Sequence, residues 1–296
     1  MNSIILNNGV KMPQVGLGTF LIPKENLLKS IERAYEIGYR SYDTAWRYHN
    51  EKEISQAFHA LGIKREDVFI TTKINADALF WGGMHYGKRR ILNLIPRRTI
   101  RQAIIESFKN LATDYIDLFL VHWPWIMYRD MYKELTKFYH DGKIRAIGVC
   151  SCLPEHIEAL KEISDVLPMV NQFELSPLNQ QKQLIKYCQD NKIAVEAMST
   201  FSHFRSNTPR AEILENTTLK RIADKYNKSV AQIVLRWLIQ QNVIVIPKTW
   251  NPAHLKENFD LFNFALSSND IAVIDSMDKG KFLNYDPYPT LKFLEK

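Results

Sequence analysis

Four residues suited to proton transfer each follow a short apolar run that is typical of a β-strand. They are Asp43, Tyr48, Lys73 and His122. A tyrosine hydroxyl has an ordinary pKa of about 10 and gives up its proton more easily beside an ammonium group, which Lys73 would supply. Asp43 would keep Lys73 charged, and His122 could hold a polarised carbonyl oxygen beside the Tyr48 hydroxyl. Together these residue types indicate reduction of a carbonyl group.

Strand-like apolar runs alternate with amphipathic stretches after an opening hairpin at residues 1–13, where Asn8-Gly9 predicts a tight primed turn. Helical spacing is predicted at Leu27–Ile37, Thr99–Leu111, Gln180–Asn191 and Leu219–Gln241, the last with a break near Asn227. Eight strands are predicted, at Val15–Leu17, Ser41–Asp43, Val68–Thr72, Ile116–Val121, Ile144–Val149, Met169–Gln172, Ala194–Ala197 and Val243–Ile246.

Eight strand-helix units in about 250 residues favour an α/β fold of the (β/α)8 TIM barrel type over an open sheet. Gly16-Leu17-Gly18 lacks the third glycine of a dinucleotide-binding turn, which disfavours a Rossmann fold. In a TIM barrel the chemistry lies on loops after the carboxyl ends of the strands, where all four proton-transfer residues fall. We therefore expect one domain, residues 1–296, with long βα loops over that face.

Composition excludes several other classes of protein. Of the 296 residues, 46% are hydrophobic and 24% are charged, as is ordinary for a soluble protein. No apolar stretch approaches the roughly 20 residues that span a bilayer, and no export signal is present, so a cytoplasmic protein without membrane contact is expected. The net charge of +7 suits an anionic ligand, but the basic clusters lack the interleaved aromatic residues of a nucleic-acid module. Three cysteines without a second ligand pair predict reduced thiols and no metal site.

The chain resembles the aldo-keto reductases over nearly its whole length. The motifs that carry the resemblance are Asp43–Glu51, Asp114–Leu118, His122-Trp123-Pro124, Asn171-Gln172, Ile246–Thr249 and Glu257-Asn258. The resemblance implies a monomeric TIM-barrel enzyme that reduces a small aldehyde or ketone with NAD(P)H. The hydride would come from the nicotinamide and the proton from Tyr48. It also implies that residues 279–296 form a variable specificity tail.

The resemblance further assigns residues to the cofactor. Lys248, Thr249 and the helix entered at Pro252 would hold the 2′-phosphate, since an ammonium and unpaired backbone N–H groups favour an anion. The other assignments are adenine contacts from Glu257 and Asn258, a phosphate contact from Ser199, and nicotinamide contacts from Ser151, Gln172 and Met198.

Three departures from the family pattern surround this cofactor site. His254 stands where an arginine usually clamps the 2′-phosphate, and Met198 stands where a tyrosine usually stacks on the nicotinamide. Cys150-Ser151 replaces the usual Ser-Asn pair. Because histidine lacks the guanidinium fork and a permanent charge, NADPH is the expected cofactor but NADH stays open.

Aromatic residues around the predicted barrel mouth are candidates for a pocket that takes an apolar or aromatic carbonyl. Residues 74–97 form a long connection of a kind often used as a lid, although any single ring could equally pack this loop against the barrel. Arg47, next to Tyr48, could attract an acidic substrate, but it is expected to face solvent. The pocket candidates are Phe20, Trp46, Phe80, Trp81 and Trp123.

Two classes of function stay open from the residues alone. The first is a catalytic carbonyl reductase, which the complete set of proton-transfer residues favours. The second is a nicotinamide-binding regulatory or scaffold protein with little turnover, which the three departures would suit. A phosphate-handling isomerase is disfavoured, because no glycine-rich phosphate loop follows the seventh or eighth strand.

Overall fold

The computed structural model describes residues 2–79, 98–201, 208–283 and 286–294. An antiparallel hairpin of β1 (Ser3–Ile5) and β2 (Lys11–Pro13) precedes a parallel eight-stranded sheet whose spatial order follows the chain. Its strands are β3 (Leu17–Gly18), β4 (Ser41–Asp43), β5 (Phe69–Ile74), β6 (Leu118–Val121), β7 (Ile147–Cys150), β8 (Val170–Glu174), β9 (Ala194–Met198) and β10 (Ile244–Val245).

The two edges of this sheet meet. Val15 forms a parallel bridge with Val245, and the Gly16 N–H donates to the Val245 carbonyl at 2.9 Å. Since each strand also follows its neighbour through a helical connection, the predicted (β/α)8 barrel with an N-terminal hairpin is confirmed.

The helices pack on the outside of the barrel. Asn227 adopts a left-handed conformation with φ 51° and ends one helix before Ser229 caps the next, so the predicted break is confirmed. No helix in the described ranges is long and apolar enough to cross a membrane. The helices are α1 (Lys24–Ile37), α2 (Glu51–Ala60), α3 (Ile100–Leu111), α4 (Tyr128–His140), α5 (Pro154–Lys161), α6 (Lys182–Asp190), α7 (Thr208–Leu214), α8 (Thr217–Tyr226), α9 (Val230–Gln240), α10 (Pro252–Phe259) and α11 (Ser268–Asp275).

A separate apolar cluster fills the lower part of the barrel interior. Ile4, Leu6 and Met12 of the hairpin pack there against inward-facing strand residues such as Leu120 and Ile244. The hairpin therefore closes the amino end of the barrel, and the carboxyl end is left for polar side chains and ligands.

The turn of the hairpin differs from the prediction. The Gly9 N–H donates to Leu6 O and the Leu6 N–H donates to Val10 O, both at 2.9 Å. Gly9 has φ 88°, whereas Asn8 keeps a negative φ. A type I′ turn needs a positive φ at both central residues, so the predicted primed turn is wrong. The loop instead has three residues, because glycine alone takes the left-handed position.

Candidate active site

The carboxyl ends of β4, β5 and β6 bring the four proton-transfer residues together. Asp43 is the last residue of β4, Lys73 is the second-last residue of β5, and His122 directly follows β6. Tyr48 ends a short 3₁₀ turn, Trp46–Tyr48, that follows β4. Because neighbouring parallel strands end at the same edge of a sheet, these side chains converge as the sequence predicted.

Lys73 and Asp43 form an ion pair inside the barrel mouth. The Lys73 side chain is fully buried, and its Nζ donates to Asp43 Oδ1 at 2.6 Å, Asp43 Oδ2 at 2.7 Å and Thr44 O at 2.9 Å. Burial lowers the pKa of Lys73, but the Asp43 charge and its hydrogen bonds outweigh burial and raise it above the usual value. Lys73 is therefore a permanent cation at neutral pH.

The Tyr48 hydroxyl lies 3.5 Å from the Lys73 Nζ, and its ring packs against Phe20 with centroids 4.6 Å apart. Burial raises the pKa of Tyr48 to about 12, although the Lys73 ammonium acts to lower it. The direction expected from Lys73 is thus present, but the expectation that Tyr48 becomes a stronger acid overall is wrong here, because burial is the larger effect. Tyr48 holds its proton at neutral pH, as a proton donor must.

His122 stands beside Tyr48 with ring centroids 5.7 Å apart at an angle of 72°, and it stacks on Trp123 at 3.7 Å. Burial, followed by the charges of Lys73 and Arg47, holds the pKa of His122 well below its usual value. Its Nδ1 is buried and has no hydrogen-bond partner within the described ranges. A neutral imidazole carries one N–H and can donate it to a carbonyl oxygen.

Arg47 does not face solvent as expected. It forms an ion pair with Asp77, its side chain is 27% exposed, and its guanidinium lies 5.9 Å from the centroid of a Trp123 ring. The expectation was wrong because Asp77, in the turn after β5, and the Trp123 ring both draw the guanidinium over the barrel mouth.

A second polar group continues the site across β7, β8 and β9, where Cys150, Gln172 and Glu196 are neighbours in register. Gln172 Nε2 donates to Asp43 Oδ2 at 2.9 Å and to Glu196 Oε2 at 2.6 Å. Both amide hydrogens are thereby used, and within the described residues Gln172 Oε1 accepts only from the Cys150 thiol, at 3.8 Å. Glu196 was not singled out from the sequence. The available signal was a carboxylate inside an apolar strand, two residues before Met198 and therefore on the same strand face.

The other predicted nicotinamide contacts, and the predicted phosphate contact Ser199, lie at the same edge of the barrel. Ser151 directly follows β7 with φ 51°, and its N–H donates to Gln172 O at 2.9 Å. Met198 ends β9 opposite Glu174 in register, and Ser199 follows it with φ 54°. The structure therefore groups Ser151, Met198 and Ser199 around Gln172, while their cofactor contacts stay predictions.

The start of α10 differs from the predicted anion site in one respect. Asn251 Oδ1 accepts from the N–H groups of Ala253 at 2.9 Å and His254 at 3.4 Å, and Thr249 Oγ1 accepts from Asn251 N at 3.1 Å. The expectation of unpaired N–H groups there is therefore wrong, because an asparagine side chain caps the helix.

Side chains supply the positive charge at this end of α10. Burial and the nearby Arg210 charge both lower the pKa of Lys248, which places a second cation close to it. The Lys248 Nζ lies 4.8 Å from the ring centroid of Trp250, whose side chain is 44% exposed. Of the remaining predicted contacts, His254 is exposed, Glu257 is half-buried and Asn258 is buried.

The sequence model of the Aldo/keto reductase family matches residues 14–279. The chain belongs to this family. Methylglyoxal reductase DkgA of Escherichia coli (strain K12) is 36% identical over 287 residues, which cover 96% of each chain. Glyoxal reductase of Bacillus subtilis (strain 168) is 38% identical over 289 residues, covering 97% of this chain and 96% of the relative.

Solved structures agree with this membership. An aldo-keto reductase of Bombyx mori in complex with NADP superposes with a TM-score of 0.83 at 31% identity, covering 99% of this chain and 97% of the other. MGS-M4, an aldo-keto reductase enzyme from a Medee basin deep-sea metagenome library, has a TM-score of 0.83 at 35% identity, covering 97% of this chain and 98% of the other. The protein is an oxidoreductase that reduces carbonyl groups with a nicotinamide cofactor. The non-catalytic alternative finds no support.

The predicted substrate pocket of this aldo-keto reductase is only partly described. Phe20 and Trp123 flank Tyr48 and His122, whereas the Trp46 Nε1 donates to Glu106 Oε2 of α3 at 2.5 Å. Phe80 and Trp81, with most of the 74–97 connection, lie outside the described residues. A pocket role for these aromatic residues therefore stays a prediction.

The C-terminal tail of the reductase crosses the end of β8. Lys279 N donates to Leu178 O at 3.0 Å, and Leu283 N donates to the carboxylate of Glu174 at 2.5 Å. Further along, Thr290 Oγ1 and His156 Nε2 are hydrogen-bonded at 3.1 Å. The described parts of the predicted tail, 279–283 and 286–294, are thus tied to the β7 and β8 side of the barrel.

Proposed function

We propose that this aldo-keto reductase protonates the carbonyl oxygen of its substrate from the Tyr48 hydroxyl. The observation that supports this most directly is the position of that hydroxyl, 3.5 Å from the Lys73 ammonium and beside a neutral His122 at the barrel mouth. Reduced nicotinamide, when bound, supplies the hydride. All of the proton chemistry is then left to the side chains of this chain.

Each member of the proposed catalytic set has a separate task. Tyr48 carries the proton that is delivered, and Lys73 stabilises the negative charge left on the phenolic oxygen. Asp43 holds Lys73 in place through two hydrogen bonds. His122 donates its single N–H to the carbonyl oxygen, which orients that oxygen toward Tyr48 and polarises the carbonyl bond.

We propose NADPH as the cofactor, with NADH as a weaker alternative. Lys248 and the nearby Arg210 provide two positive charges next to the Thr249 hydroxyl, which suits a 2′-phosphate. The acceptor Gln172 Oε1 at the barrel mouth suits the primary amide of a nicotinamide. His254 makes the preference weaker than an arginine would, because histidine lacks the guanidinium fork that matches a phosphate.

The proposed substrate is a small aldehyde or ketone, with 2-oxoaldehydes as the first to test. The names of relatives at 36% and 38% identity, a methylglyoxal reductase and a glyoxal reductase, support this choice. Phe20 and Trp123 beside the proton-transfer residues would contact the apolar part of a larger carbonyl.

The function is tested by following loss of NADPH with methylglyoxal and a panel of aldehydes and ketones. Tyr48→Phe should lower kcat by at least about 10²-fold, the usual contribution of a positioned general acid, while the Kd for NADPH changes little. Tyr42→Phe is the matched control, because Tyr42 is a buried tyrosine on the same strand as Asp43 whose hydroxyl bonds only weakly, to Tyr39 O at 3.5 Å. Equal turnover in Tyr48→Phe, or no turnover with any carbonyl, would contradict the proposal.

We further propose that residues 1–296 form a single domain that acts as a monomer in the cytoplasm. The closed barrel supports the single domain and the monomer, because in the described residues the two edges of its eight-stranded sheet pair with each other. Light scattering on the purified protein should give a mass near 34.6 kDa, and a mass twice as large would contradict a monomer.

A further inference from the structure

Glu196 is a fully buried carboxyl group at the centre of β9 that the proposed proton transfer does not use. Its Oε2 accepts the hydrogen bond from Gln172 Nε2 at 2.6 Å. Its Oε1 is buried and finds no hydrogen-bond partner in the parts of the chain that the structure describes. An ionised carboxylate in this position would leave a buried charge half satisfied.

The charges around Glu196 also favour its neutral form. Lys73 is the cation that acts on it, and Lys73 is already held by both oxygens of Asp43. Two carboxyl groups therefore share one ammonium and one amide. Removing a second, unpaired carboxylate from water costs several kcal/mol, so the protonated acid is the lower-energy state. The groups that face Glu196 are Asp43 from β4, Lys73 from β5, Cys150 from β7, Gln172 from β8 and the apolar Ile244 from β10.

The titration of Glu196 agrees with this geometry. Burial, and then the negative charge of Asp43, raise the pKa of Glu196 to about 8. Burial also raises the pKa of the Cys150 thiol well above its usual range, so Cys150 stays neutral. Glu196 is thus the group of this cluster that changes charge just above neutral pH.

Asp43 and Glu196 together determine which way the Gln172 amide points. The Nε2 group donates to Asp43 Oδ2 and to Glu196 Oε2, and a reversed amide would place Oε1 against the ionised Asp43, which can only accept. Gln172 Oε1 is then the atom left for a ligand, since the Cys150 thiol at 3.8 Å is a weak donor. The side chain therefore presents an acceptor, which is complementary to a primary amide.

We propose that Glu196 is a positioning residue which, as a neutral acid, accepts from Gln172 and helps Asp43 to hold Gln172 Oε1 toward the barrel mouth. Its ionisation makes the site sensitive to the charge of the ring bound there. The inference rests on the proposed function, in which that ring is a nicotinamide. With Glu196 neutral, Asp43 and Lys73 cancel and the cluster has no net charge. Ionised Glu196 adds one negative charge, which favours the cationic oxidised ring over the neutral reduced ring.

The test compares Kd values for NADP⁺ and NADPH between pH 6.5 and 9.5. The ratio of the two values cancels effects from the 2′-phosphate and from His254, which are common to both nucleotides. In the wild type, Kd(NADP⁺)/Kd(NADPH) should fall by about three- to tenfold with a midpoint near pH 8, equivalent to a shift of roughly 0.5–1 pKa unit in Glu196 on binding. Glu196→Gln keeps the shape and the acceptor but cannot ionise, so its ratio should stay flat.

Glu51→Gln is the matched control. Glu51 is also a buried carboxyl with a raised pKa, but its oxygens accept from Thr72 at 2.6 Å and Asn110 at 3.1 Å, away from Asp43. In Glu51→Gln, Kd(NADP⁺)/Kd(NADPH) should fall with rising pH as it does in the wild type. A flat ratio in the wild type, or the same fall in Glu196→Gln, overturns the inference.

A measurement on the wild type alone covers the case in which Glu196→Gln does not fold. Calorimetry at pH 8 in two buffers with different ionisation enthalpies should show proton release when NADP⁺ binds and none when NADPH binds. Equal release with both nucleotides overturns the inference. If neither nucleotide binds and no carbonyl is reduced, the proposed function itself fails, whereas turnover with a flat ratio removes only the role of Glu196.

Discussion

Replacing Asp43 by asparagine removes one negative charge from the barrel mouth with little change in shape. Lys73 is fully buried, and its three shortest hydrogen bonds go to Asp43 Oδ1, Asp43 Oδ2 and Thr44 O. A buried charge left without its partner costs about 3–5 kcal/mol. We expect Asp43→Asn to lose that much free energy of unfolding at pH 7. At about 2–4 °C per kcal/mol, the melting temperature should fall by roughly 6–20 °C.

The free energy of unfolding lost in Asp43→Asn should become smaller as the pH is raised. In Asp43→Asn, the charge that mainly opposes the effect of burial on Lys73 is gone, so the Lys73 pKa falls below its unfolded value of about 10.4. The unfolded state then binds more protons than the folded state in the window below 10.4, so the stability of the variant rises with pH there. In the wild type the pKa of Lys73 lies above its usual value, so this rise is absent.

The charge state of Glu196 should affect how much free energy of unfolding Asp43→Asn loses. Without the Asp43 charge, the pKa of Glu196 should fall, because that charge is one of the two main causes that raise it. An ionised Glu196 would then supply part of the missing negative charge. The double variant Asp43→Asn with Glu196→Gln should therefore lie at the upper end of the expected loss, and the single variant should lie nearer the lower end.

The assay is denaturant unfolding followed by circular dichroism at pH 7, 8.5 and 10. Asp270→Asn is a useful control, because hydrogen bonds from Lys225 and other donors lower the pKa of Asp270 to about 2. The stability that Asp270 contributes is lost only in acid. The free energy of unfolding that Asp270→Asn loses should therefore be constant from pH 7 to 10. A loss below about 1 kcal/mol in Asp43→Asn, or one that does not shrink by pH 10, would refute the reasoning about the buried pair.

Two further predictions concern the cofactor and the packing of the barrel. Because histidine lacks the guanidinium fork that matches a phosphate, His254→Arg should strengthen NADPH affinity relative to NADH, and an unaltered ratio of the two Kd values would contradict a role for this position in holding the 2′-phosphate. A methyl group at Gly148 would lie 2.4 Å from the Val170 carbonyl oxygen, so Gly148→Ala should destabilise by about 3 kcal/mol in urea unfolding. Gly142→Ala meets no atom within 4 Å and should lose only about 1 kcal/mol from its left-handed backbone; equal losses would argue against the packing explanation.

The convergence of the candidate proton-transfer residues could be predicted, because the position of each along a strand needs only local information. Asp43, Lys73 and His122 lie at or just after the end of a short apolar run, and all strand ends of a parallel barrel meet at one rim. Glu196 could not be interpreted in the same way. The partners of a buried carboxyl depend on which strands lie next to it, and Gln172 joins it to Asp43, which is 129 residues away from Gln172 in the chain.

Three local expectations failed because a neighbouring group changed the outcome. Arg47 turned to Asp77, the α10 N–H groups were taken by Asn251, and burial outweighed Lys73 in setting the pKa of Tyr48. In each case the chemical properties of the residue were known from its type. Its partner or its degree of burial could not be inferred from the neighbouring sequence. The general lesson is that spacing along a strand locates a side chain, whereas its charge state depends on the packed structure.

Asp43 links the two halves of the site into one electrostatic unit. Its Oδ2 accepts both from Lys73, which faces Tyr48, and from Gln172, which faces Glu196. A negative charge on Glu196 would therefore act on the cluster beside Tyr48. It would oppose loss of the Tyr48 proton, which the proposed proton transfer requires. A protonated Glu196 keeps the acceptor Gln172 in place without this penalty. The acid on β9 thus explains how the barrel can hold a second carboxyl group close to Tyr48 and still leave that tyrosine fit to give up its proton.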